Sequence, residues 1–587
     1  MISSPTLVLA RREFRRLSGG SALFRLDPAL PSFEIAREGG RWIFSGPSET
    51  ELLYAVYDCA ERFLGYDFFE PGTENFDPAR VEKELPEGVL VPARRPLLRY
   101  RGFIQEFPFD EKETPRLFDF MAKNKLNYLL VWMKYYDELA GELKEYAACR
   151  GIVIESGHHD FAYLVPYEKY GRGHPEYFAV RPGRDGEKAL PGVTHAGHQL
   201  CTTEPGLRKE IAKRLLAYAE KHPELRRIGL NPDDGFGWCQ CSRCRRYYQP
   251  DDRRKCLVPA HAAHYFYAEN AYDEFIAEAA KRVHVRRPDL VLNFFGYVNY
   301  SSPAKNFRLT PGIAVQLANY WRCVQHDLAD RACPTNRGFL NDLLAWEKAK
   351  AGGELMIYEY YMGINFYMSL PLLFGKRMFD ELAFYRAHKV DGVLTQFQTG
   401  HWSVYGGNYR FMAEAARGES FEEARKRFFS RRFPGMVSEA EHFFAMVQDV
   451  VDSVNGCHIP TPASLFSRIR PEQLEKLLPP ARRISRKLAR IRPAADLECW
   501  VRYLIRFKKI YDSETERRIT VEEMRRFRRW IARGKHRRIF AAPVQYYLKL
   551  WQQDIGEDRP CRFFDVDWPA EFRRRAEEAL RPDRPVE

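Results

Sequence analysis

Residues 227–241 read RIGLNPDDGFGWCQC, and this stretch is the most informative part of the chain. It begins as a short apolar strand and then breaks at a proline into two adjacent carboxylates, Asp233 and Asp234. Adjacent acids repel each other, so a buried or half-buried pair needs hydrogen bonds, a metal or a substrate to stabilise it. Such a pair suits acid–base chemistry on a neutral, oxygen-rich ligand. The flanking Phe236 and Trp238 offer apolar faces on which a sugar ring can lie.

The pattern of a short apolar strand followed by polar residues repeats on both sides of this stretch. Between Leu98 and Arg417, eight strand-like runs alternate with amphipathic helical runs, which predicts an α/β fold of the (β/α)8 barrel type with insertions. The competing doubly wound sheet favours a glycine-rich phosphate loop after the first strand, and residues 101–105 (RGFIQ) are not one. The predicted strands are 98–105, 128–133, 151–155, 227–230, 290–297, 313–319, 355–360 and 393–398.

Regions of different character flank the predicted barrel. Residues 1–96 indicate a small α/β domain, with a hairpin around Gly39-Gly40 and a helix that begins with capping-box spacing at Ser48. Residues 97–432 hold the barrel. Residues 433–587 are mostly helical, with a break at Pro479-Pro480, and carry no evident chemistry.

Composition argues against several classes of protein. The net charge of +13 comes from 92 Lys and Arg against 79 Asp and Glu, and acids are interspersed through most of the basic clusters. This favours a solvated surface over a nucleic-acid interface. No apolar run approaches the roughly 20 residues that span a bilayer, and residues 1–20 do not form a secretory signal. With 12 cysteines and no export signal, we expect a reduced, cytoplasmic protein.

In a barrel, functional side chains gather at the carboxyl ends of the strands. The predicted strand ends carry acids, amides, histidines, tyrosines and tryptophans, which are the residues of a sugar site, and we expect no cofactor. Gln105 and Glu106 end the first strand. The candidate substrate-binding residues are Trp132, Glu155, His158, His159, Trp238, Asn293, Tyr297, Asn319, Tyr361, Gln398 and Trp402.

Three carboxylates are the catalytic candidates. Asp233 and Asp234 follow the fourth predicted strand, and Glu359 lies at the end of the seventh, across the barrel mouth. One acid there can protonate the leaving oxygen while another serves as nucleophile or base. Two structural alternatives stay open: Asp-Asp-Gly is also an ordinary turn sequence, and Glu359 can be an inward-pointing acid paired with an arginine.

Two groups of residues raise the question of a metal. Cys239, Cys241 and Cys244 resemble a metal knuckle, but their spacing is not the usual pair of CxxC motifs, so free thiols are the default, or a disulfide if the protein is exported. His158 and His159 point opposite ways if they extend a strand, so a hydrogen bond to a sugar or an acid is favoured over a metal. The nearby residues that could complete a zinc site are Cys256, His261 and His264.

The run from Asn231 to Gly235, leading into Trp238 and the three cysteines, resembles the signature of a bacterial family described as domain of unknown function 4838. That family overlaps glycoside hydrolase family 163, the endo-β-N-acetylglucosaminidases that act on N-glycans. The order of a small α/β domain, a barrel and a helical tail is also similar to α-glucuronidases and family 20 hexosaminidases. The resemblance covers nearly the whole chain, most strongly residues 33–398.

The resemblance implies a glycosidase that cleaves β-linked N-acetylhexosamine with retention, assisted by the 2-acetamido group of the substrate. Carried over from related hexosaminidases, Asp233 orients the acetamide and Asp234 is the general acid. Related enzymes often have Asp-Glu where this chain has Asp-Asp, and a shorter acid reaches less far. The alternatives are a double displacement on another sugar, such as a uronic acid, with Glu359 as nucleophile, and a non-catalytic carbohydrate-binding relative.

Overall fold

The computed structural model describes residues 4–180, 199–234, 238–239, 241–247, 268–297, 300–320, 322–361, 370–397, 402–454, 468–489, 497–515 and 520–531. Within these residues the chain forms a small sheet with two helices, then a closed barrel, then a series of helices. The prediction that Gln398 lines the site falls outside the described residues, as do Phe236, Cys256, His261 and His264. The domain boundaries at 96 and 432 stay predictions.

The residues before the barrel form a four-stranded sheet in the order β1-β3-β2-β6, covered by helices. The predicted hairpin is confirmed as the antiparallel pair β2–β3. The predicted helix begins where Ser48 accepts a hydrogen bond from the Glu51 amide at 3.3 Å. The first helix was not predicted, and its apolar face packs against the second. The elements are α1 (Pro5–Ser18), β1 (Ala22–Leu26), β2 (Glu34–Glu38), β3 (Arg41–Gly46), α2 (Glu49–Phe63), β4 (Leu64–Asp67), β5 (Asn75–Val81) and β6 (Gly88–Val91).

Eight parallel strands close into the barrel that the sequence predicts, and pairing of the last strand with the first excludes the open sheet. The run at residues 227–229 is the fourth strand. Alternate side chains point into the barrel interior, where Arg227 binds Glu354 at 2.6 Å and the Tyr128 hydroxyl at 2.5 Å. The strands are β7 (Tyr100–Gln105), β8 (Tyr128–Val131), β9 (Val153–Ser156), β10 (Arg227–Gly229), β11 (Val291–Gly296), β12 (Ile313–Ala318), β13 (Glu354–Glu359) and β14 (Gly392–Gln396).

Helices follow most of the barrel strands. The amphipathic runs between the strands predict helices at 114–125, 137–150, 204–221, 270–285, 336–351 and 371–388. The run at 137–150 falls on two shorter helices, and the other five are each present with ends moved by at most five residues. They are α3 (Glu113–Lys123), α4 (Met133–Glu138), α5 (Gly141–Ala148), α6 (Phe161–Leu164), α7 (Tyr167–Tyr170), α8 (Pro205–Lys221), α9 (Ser242–Arg245), α10 (Glu269–His284), α11 (Pro334–Ala349), α12 (Lys376–Ala387) and α13 (Trp402–Arg417).

The described residues beyond the barrel are helical, as predicted. Pro479 and Pro480 lie in the first turn of a helix, where a missing N–H removes no internal hydrogen bond, and the predicted break is the boundary between this helix and the one before it. None of the helices described is both long and apolar enough to cross a membrane. The helices are α14 (Phe421–Arg432), α15 (Val437–Asp452), α16 (Pro471–Lys476), α17 (Leu478–Leu488), α18 (Leu497–Thr515) and α19 (Val521–Ile531).

Candidate functional site

The carboxyl ends of β9 and β10 approach so closely that only glycine fits between them. Gly157 has a φ of 137°, and a Cβ at this position would lie 2.5 Å from the Gly229 backbone. Asn231 then joins the strand ends: its Nδ2 donates to the Gly157 carbonyl at 3.4 Å, and its Oδ1 accepts from the Phe295 amide at 2.7 Å. The loop that carries the two aspartates is therefore anchored to both neighbouring strands.

Asp233 is half-buried and held in place by backbone contacts. Its carboxylate accepts from the Ala162 amide at the start of α6, at 3.2 and 3.3 Å. The Gln199 side chain donates to its backbone carbonyl. Burial raises the pKa of Asp233 to about 7. The Ala162 hydrogen bond lowers this pKa and so offsets part of the effect of burial, while the charges of Asp160 and Asp234 raise it further. Asp233 is thus a fixed carboxyl group that titrates near neutrality.

Asp234 is exposed, and its charge acts on the tyrosines around the barrel mouth. Burial raises the pKa of Tyr297 and Tyr300 well above the ordinary value, and the charge of Asp234 raises both further. The same two causes contribute at Tyr358 and Tyr360. Asp234 therefore lies beside the mouth and open to solvent, which is where an acid that acts on a bound ligand has to be.

The two histidines after β9 lie at the mouth with different partners. The His159 Nδ1–H donates to the Pro232 carbonyl at 2.6 Å. Burial lowers the pKa of His159 to about 4, with a further contribution from His158 and a partial offset from Asp234. His158 is buried, and its Nε2 lies 3.2 Å from the Glu106 carboxylate. Of the two partners that the sequence offered for one of these histidines, a sugar hydroxyl or an acid, the structure shows an acid at His158.

Glu106 also lies at the mouth. It was not among the candidate site residues, although the sequence places it at the end of the first strand. Its carboxylate accepts from the Tyr358 hydroxyl at 2.8 Å and from the Gln396 side chain. Burial raises the pKa of Glu106, but the hydrogen bond and charge of His158, with the Tyr358 hydroxyl and His159, lower it to about 2. Glu106 is consequently ionised throughout the neutral range.

Aromatic rings line the mouth beside these acids, and we call them the aromatic wall. Neighbouring ring centroids are 4.6–6.0 Å apart along the whole series. Several of the rings are only half-buried, so part of each surface stays open to a ligand. An apolar surface beside exposed carboxylates suits a sugar ring, which has apolar faces and a polar rim. The aromatic wall consists of Trp132, His158, His159, Tyr297, Tyr320, Tyr360 and Tyr358.

Glu359 does not lie at the mouth, and this corrects its prediction as a facing acid. Because Tyr358 points into the barrel, the next residue of β13 points outward, towards the helices. The Glu359 carboxylate is fully buried and accepts from Arg322 at 2.7 Å, from Asn319 at 3.1 Å and from the Tyr385 hydroxyl. This is the alternative interpretation that the sequence analysis left open, a structural acid paired with an arginine. Among the described residues these donors enclose the Glu359 carboxylate, so it does not face the mouth.

Several other predicted substrate-binding residues are also structural. Trp238 is 1% exposed and packs between Tyr272 and Tyr300. Trp402 packs on the outer side of the barrel against Phe103. Asn319 and Tyr361 contact the two acids that Arg322 binds, Glu359 and Glu381. Asn319 donates to Glu359, and the Tyr361 hydroxyl donates to Glu381 at 3.0 Å. Trp402 is half-buried and the other three are buried, and the position of a residue at a strand end does not reveal this packing.

Glu155 and Asn293 lie inside the barrel, below the mouth. The Asn293 amide donates to the Glu155 carboxylate at 2.7 Å, and the Tyr128 hydroxyl also binds it. Burial raises the pKa of Glu155 to about 7, against the lowering effect of Arg227 and these hydrogen bonds. Both residues are fully buried, so they support the site from beneath and do not face solvent.

Four cysteines meet beside the acid-bearing loop. Cys239, Cys241 and Cys244 are joined by Cys201, and the four sulfur atoms all lie within 4.8 Å of one another. The sequence analysis named three of the four cysteines and sought a fourth ligand at Cys256, His261 or His264, which follow them in the chain. The fourth cysteine is instead Cys201, which lies 40 residues before Cys241. The cluster has the donor set of a metal site, and its four residues are free cysteines, which was the default expectation.

Comparison with known proteins identifies the family and the fold. The model of the family described as Domain of unknown function (DUF4838) matches residues 78–418, more than half of the chain, and confirms the resemblance seen in the sequence. A search of the curated proteins found no match.

Two solved structures share the architecture. One is a family GH115 4-O-methyl-α-glucuronidase with specificity for decorated arabinogalactans, at 10% identity over 96% of this chain and 78% of that chain, with a TM-score of 0.53. The other is a family 89 glycoside hydrolase from Clostridium perfringens in complex with PUGNAc, at 13% identity over 98% and 70%, with a TM-score of 0.52. At these identities the likeness is one of fold.

Proposed function

The chain belongs to the DUF4838 family, and we propose that it is a glycoside hydrolase with Asp234 as its general acid. The observation that carries this proposal is an exposed carboxylate at the carboxyl end of the fourth barrel strand, beside the aromatic wall. Barrel enzymes place their catalytic groups at this end of the strands. The fold shared with two glycoside hydrolases is consistent with the proposal.

The proposed substrate is a β-linked N-acetylhexosaminide, cleaved with retention through its own acetamide. Asp234 gives its proton to the glycosidic oxygen while the acetamide oxygen attacks the anomeric carbon, so that the bond to the leaving group breaks. Water then attacks that carbon and returns a proton to Asp234. In this scheme Asp233, whose carboxylate accepts a hydrogen bond from the Ala162 amide, orients the acetamide N–H. The enclosed position of Glu359 supports a scheme in which that residue is not the nucleophile.

Leaving-group dependence tests the role of Asp234. A general acid contributes about 100- to 10,000-fold to the rate, mainly where the leaving group is poor. Asp234→Ala should lower kcat/KM by that amount on an N-acetylhexosaminide with an alkyl or sugar leaving group, and much less on an activated aryl glycoside. Asp380→Asn, which alters an exposed acid paired with Lys376 on α12, is the control and should leave both rates unchanged. Full activity of Asp234→Ala on both substrates would refute the assignment.

A second candidate is a double displacement on another sugar, with Glu106 in place of Glu359 as the nucleophile. The observation that favours it is that Glu106 stays ionised beside the mouth, with a pKa lowered to about 2 by His158 and Tyr358 against the effect of burial. This scheme predicts turnover of substrates that lack an acetamide, no inhibition by a thiazoline, and rescue of Glu106→Ala by azide with formation of a glycosyl azide. The acetamide scheme predicts the opposite result in all three measurements.

The non-catalytic alternative is separated by the same experiments. A carbohydrate-binding relative would bind members of a glycan library without releasing any product, and Asp234→Ala would leave the affinity unchanged. Product release from even one glycan that depends on Asp234 would exclude it.

A further inference from the structure

The four clustered cysteines come from two segments on either side of helix α8. Cys201 precedes that helix, and Cys239, Cys241 and Cys244 follow strand β10. The Cys201 sulfur lies 3.8 Å from that of Cys241 and 3.7 Å from that of Cys244. All four sulfur atoms lie within 4.8 Å of one another. Four thiols from distant parts of the chain therefore converge on one point.

The spacing fits a tetrahedral metal and does not fit disulfides. Zinc binds cysteine sulfur at about 2.3 Å, so the edges of a ZnS4 tetrahedron are about 3.8 Å long. A disulfide requires about 2.05 Å between sulfur atoms. The separations of the Cys201 sulfur from those of Cys241 and Cys244 agree with the tetrahedron edge, and all four residues are free cysteines.

The surroundings of the cluster are those of a closed site. Cys201, Cys239 and Cys244 are at most 2% exposed, and Cys241 is half-buried. Backbone amides point at two of the sulfurs: Val180 N–H donates to Cys239 at 3.4 Å, and Cys244 N–H donates to Cys241 at 3.5 Å. Such outer contacts orient thiolate ligands and offset their charge.

We propose that Cys201, Cys239, Cys241 and Cys244 bind one structural Zn²⁺ as thiolates. Four sulfur ligands fill the tetrahedral coordination of zinc and leave no position for water or substrate, so the ion supports the structure and does not take part in the reaction. Each thiol releases its proton to solvent on binding, so that the complex forms from Zn²⁺ and four thiolates.

The proposed zinc lies close in the chain to the loop that carries Asp233 and Asp234. Gln199, two residues before Cys201, donates to the backbone carbonyl of Asp233, and Cys239 follows Asp234 by only five positions. The ion would tie these two segments together immediately beside the acid-bearing loop. Metal binding would therefore hold Asp233 and Asp234 in place, whatever substrate the site accepts.

Metal content tests this proposal without reference to any activity. We expect wild-type protein, expressed with added zinc and purified without chelators, to carry about one zinc per chain by elemental mass spectrometry. Cys201→Ser and Cys244→Ser should each lose it. Cys149→Ser alters a half-buried cysteine outside the cluster and is the matched control, which should retain the full content.

Measurements on the wild type keep the proposal testable if the serine variants fail to fold. X-ray absorption at the zinc edge should give four sulfur neighbours at about 2.3 Å. Cobalt exchanged into the site should show thiolate-to-metal charge transfer and the absorption of a tetrahedral complex. Absence of zinc with no uptake after reduction, iron in its place, a shell of nitrogen or oxygen ligands, or full zinc content in Cys201→Ser would each overturn the proposal.

Discussion

Replacement of Glu359 by glutamine separates a structural acid from a catalytic one. On the outer side of the barrel, Glu359 is enclosed by Arg322, Asn319 and Tyr385, all of which donate hydrogen bonds to it. Glutamine keeps the shape of the side chain but places an NH2 group where one carboxylate oxygen was. That group would face donors on either side, and the positive charge of Arg322 would lose one of its two partners.

The cost follows from these contacts. Breaking a buried ion pair by removing one partner costs about 3–5 kcal/mol. Arg322 still keeps Glu381, so the expected loss lies at the lower end, about 3 kcal/mol. In a domain of 150–250 residues each kcal/mol shifts the unfolding midpoint by about 2–4 °C, and the shift is smaller in a larger barrel. Glu359→Gln should therefore lower Tm by about 5 °C.

The assay compares this variant with Asp234→Asn by thermal unfolding and by kcat/KM on the same N-acetylhexosaminide. Glu359→Gln should lose stability while its rate at 25 °C falls by less than the roughly 100-fold that marks a lost catalytic carboxyl. Asp234→Asn alters an exposed group, so its Tm should stay within about 1 °C of the wild type while its rate falls by at least about 100-fold.

The reverse pattern would refute the reasoning. If Glu359→Gln unfolds at the temperature of the wild type and has lost its activity, the carboxylate does not depend on Arg322 and acts on the substrate. Restored activity of Glu359→Ala with azide would establish the same point independently, since a small anion can replace only a nucleophile that reaches the anomeric carbon.

Two more predictions concern the mouth. Burial raises the pKa of Asp233 to about 7 from about 3.8 in the unfolded chain, so its neutral form contributes stability that is complete below about pH 4 and is lost as the pH rises through about 7. Asp233→Asn should therefore be more stable than the wild type in urea at about pH 8 and not at about pH 4, and identical pH dependence in both proteins would contradict this. Trp132 stacks on His158 with ring centroids 4.8 Å apart and leaves part of its surface open. If that surface binds a sugar, Trp132→Ala should raise KM about tenfold, or about 1.4 kcal/mol, with little change in kcat; an unchanged KM for oligosaccharides would remove Trp132 from the substrate path.

The barrel was predictable because its signals are local. Each strand is a short apolar run and each helix has its own periodicity, so eight repeats define the architecture without knowledge of any distant contact. The position of the acid-bearing loop followed directly, because residues 227–229 form the fourth of those strands. Helix α1 was not predicted because its buried residues are spread along the helix and are covered only when they pack against α2.

The direction of side chains at the strand ends was not predictable. Tyr358 and Glu359 are adjacent, yet one binds Glu106 at the mouth and the other binds Arg322 beneath the helices. Successive side chains of a strand point to opposite faces, so an error of one residue in the position of a strand end exchanges the side chains that point inward and outward. The sequence does not locate strand ends to within one residue. The same uncertainty admitted Tyr361 to the candidate set and left Glu106 out of it.

By itself, the sequence determined the fold class, the order of the strands and the loop that carries Asp233 and Asp234, because these depend on patterns within about 15 residues. Only the tertiary structure decided which acids share the mouth and which cysteine completes the cluster. Glu106 and Asp234 come from the first and fourth strands, and Cys201 precedes its partner Cys241 by 40 residues. Such neighbours are set by the closure of the barrel and by the face on which each side chain emerges, and neither is encoded within one segment of the chain.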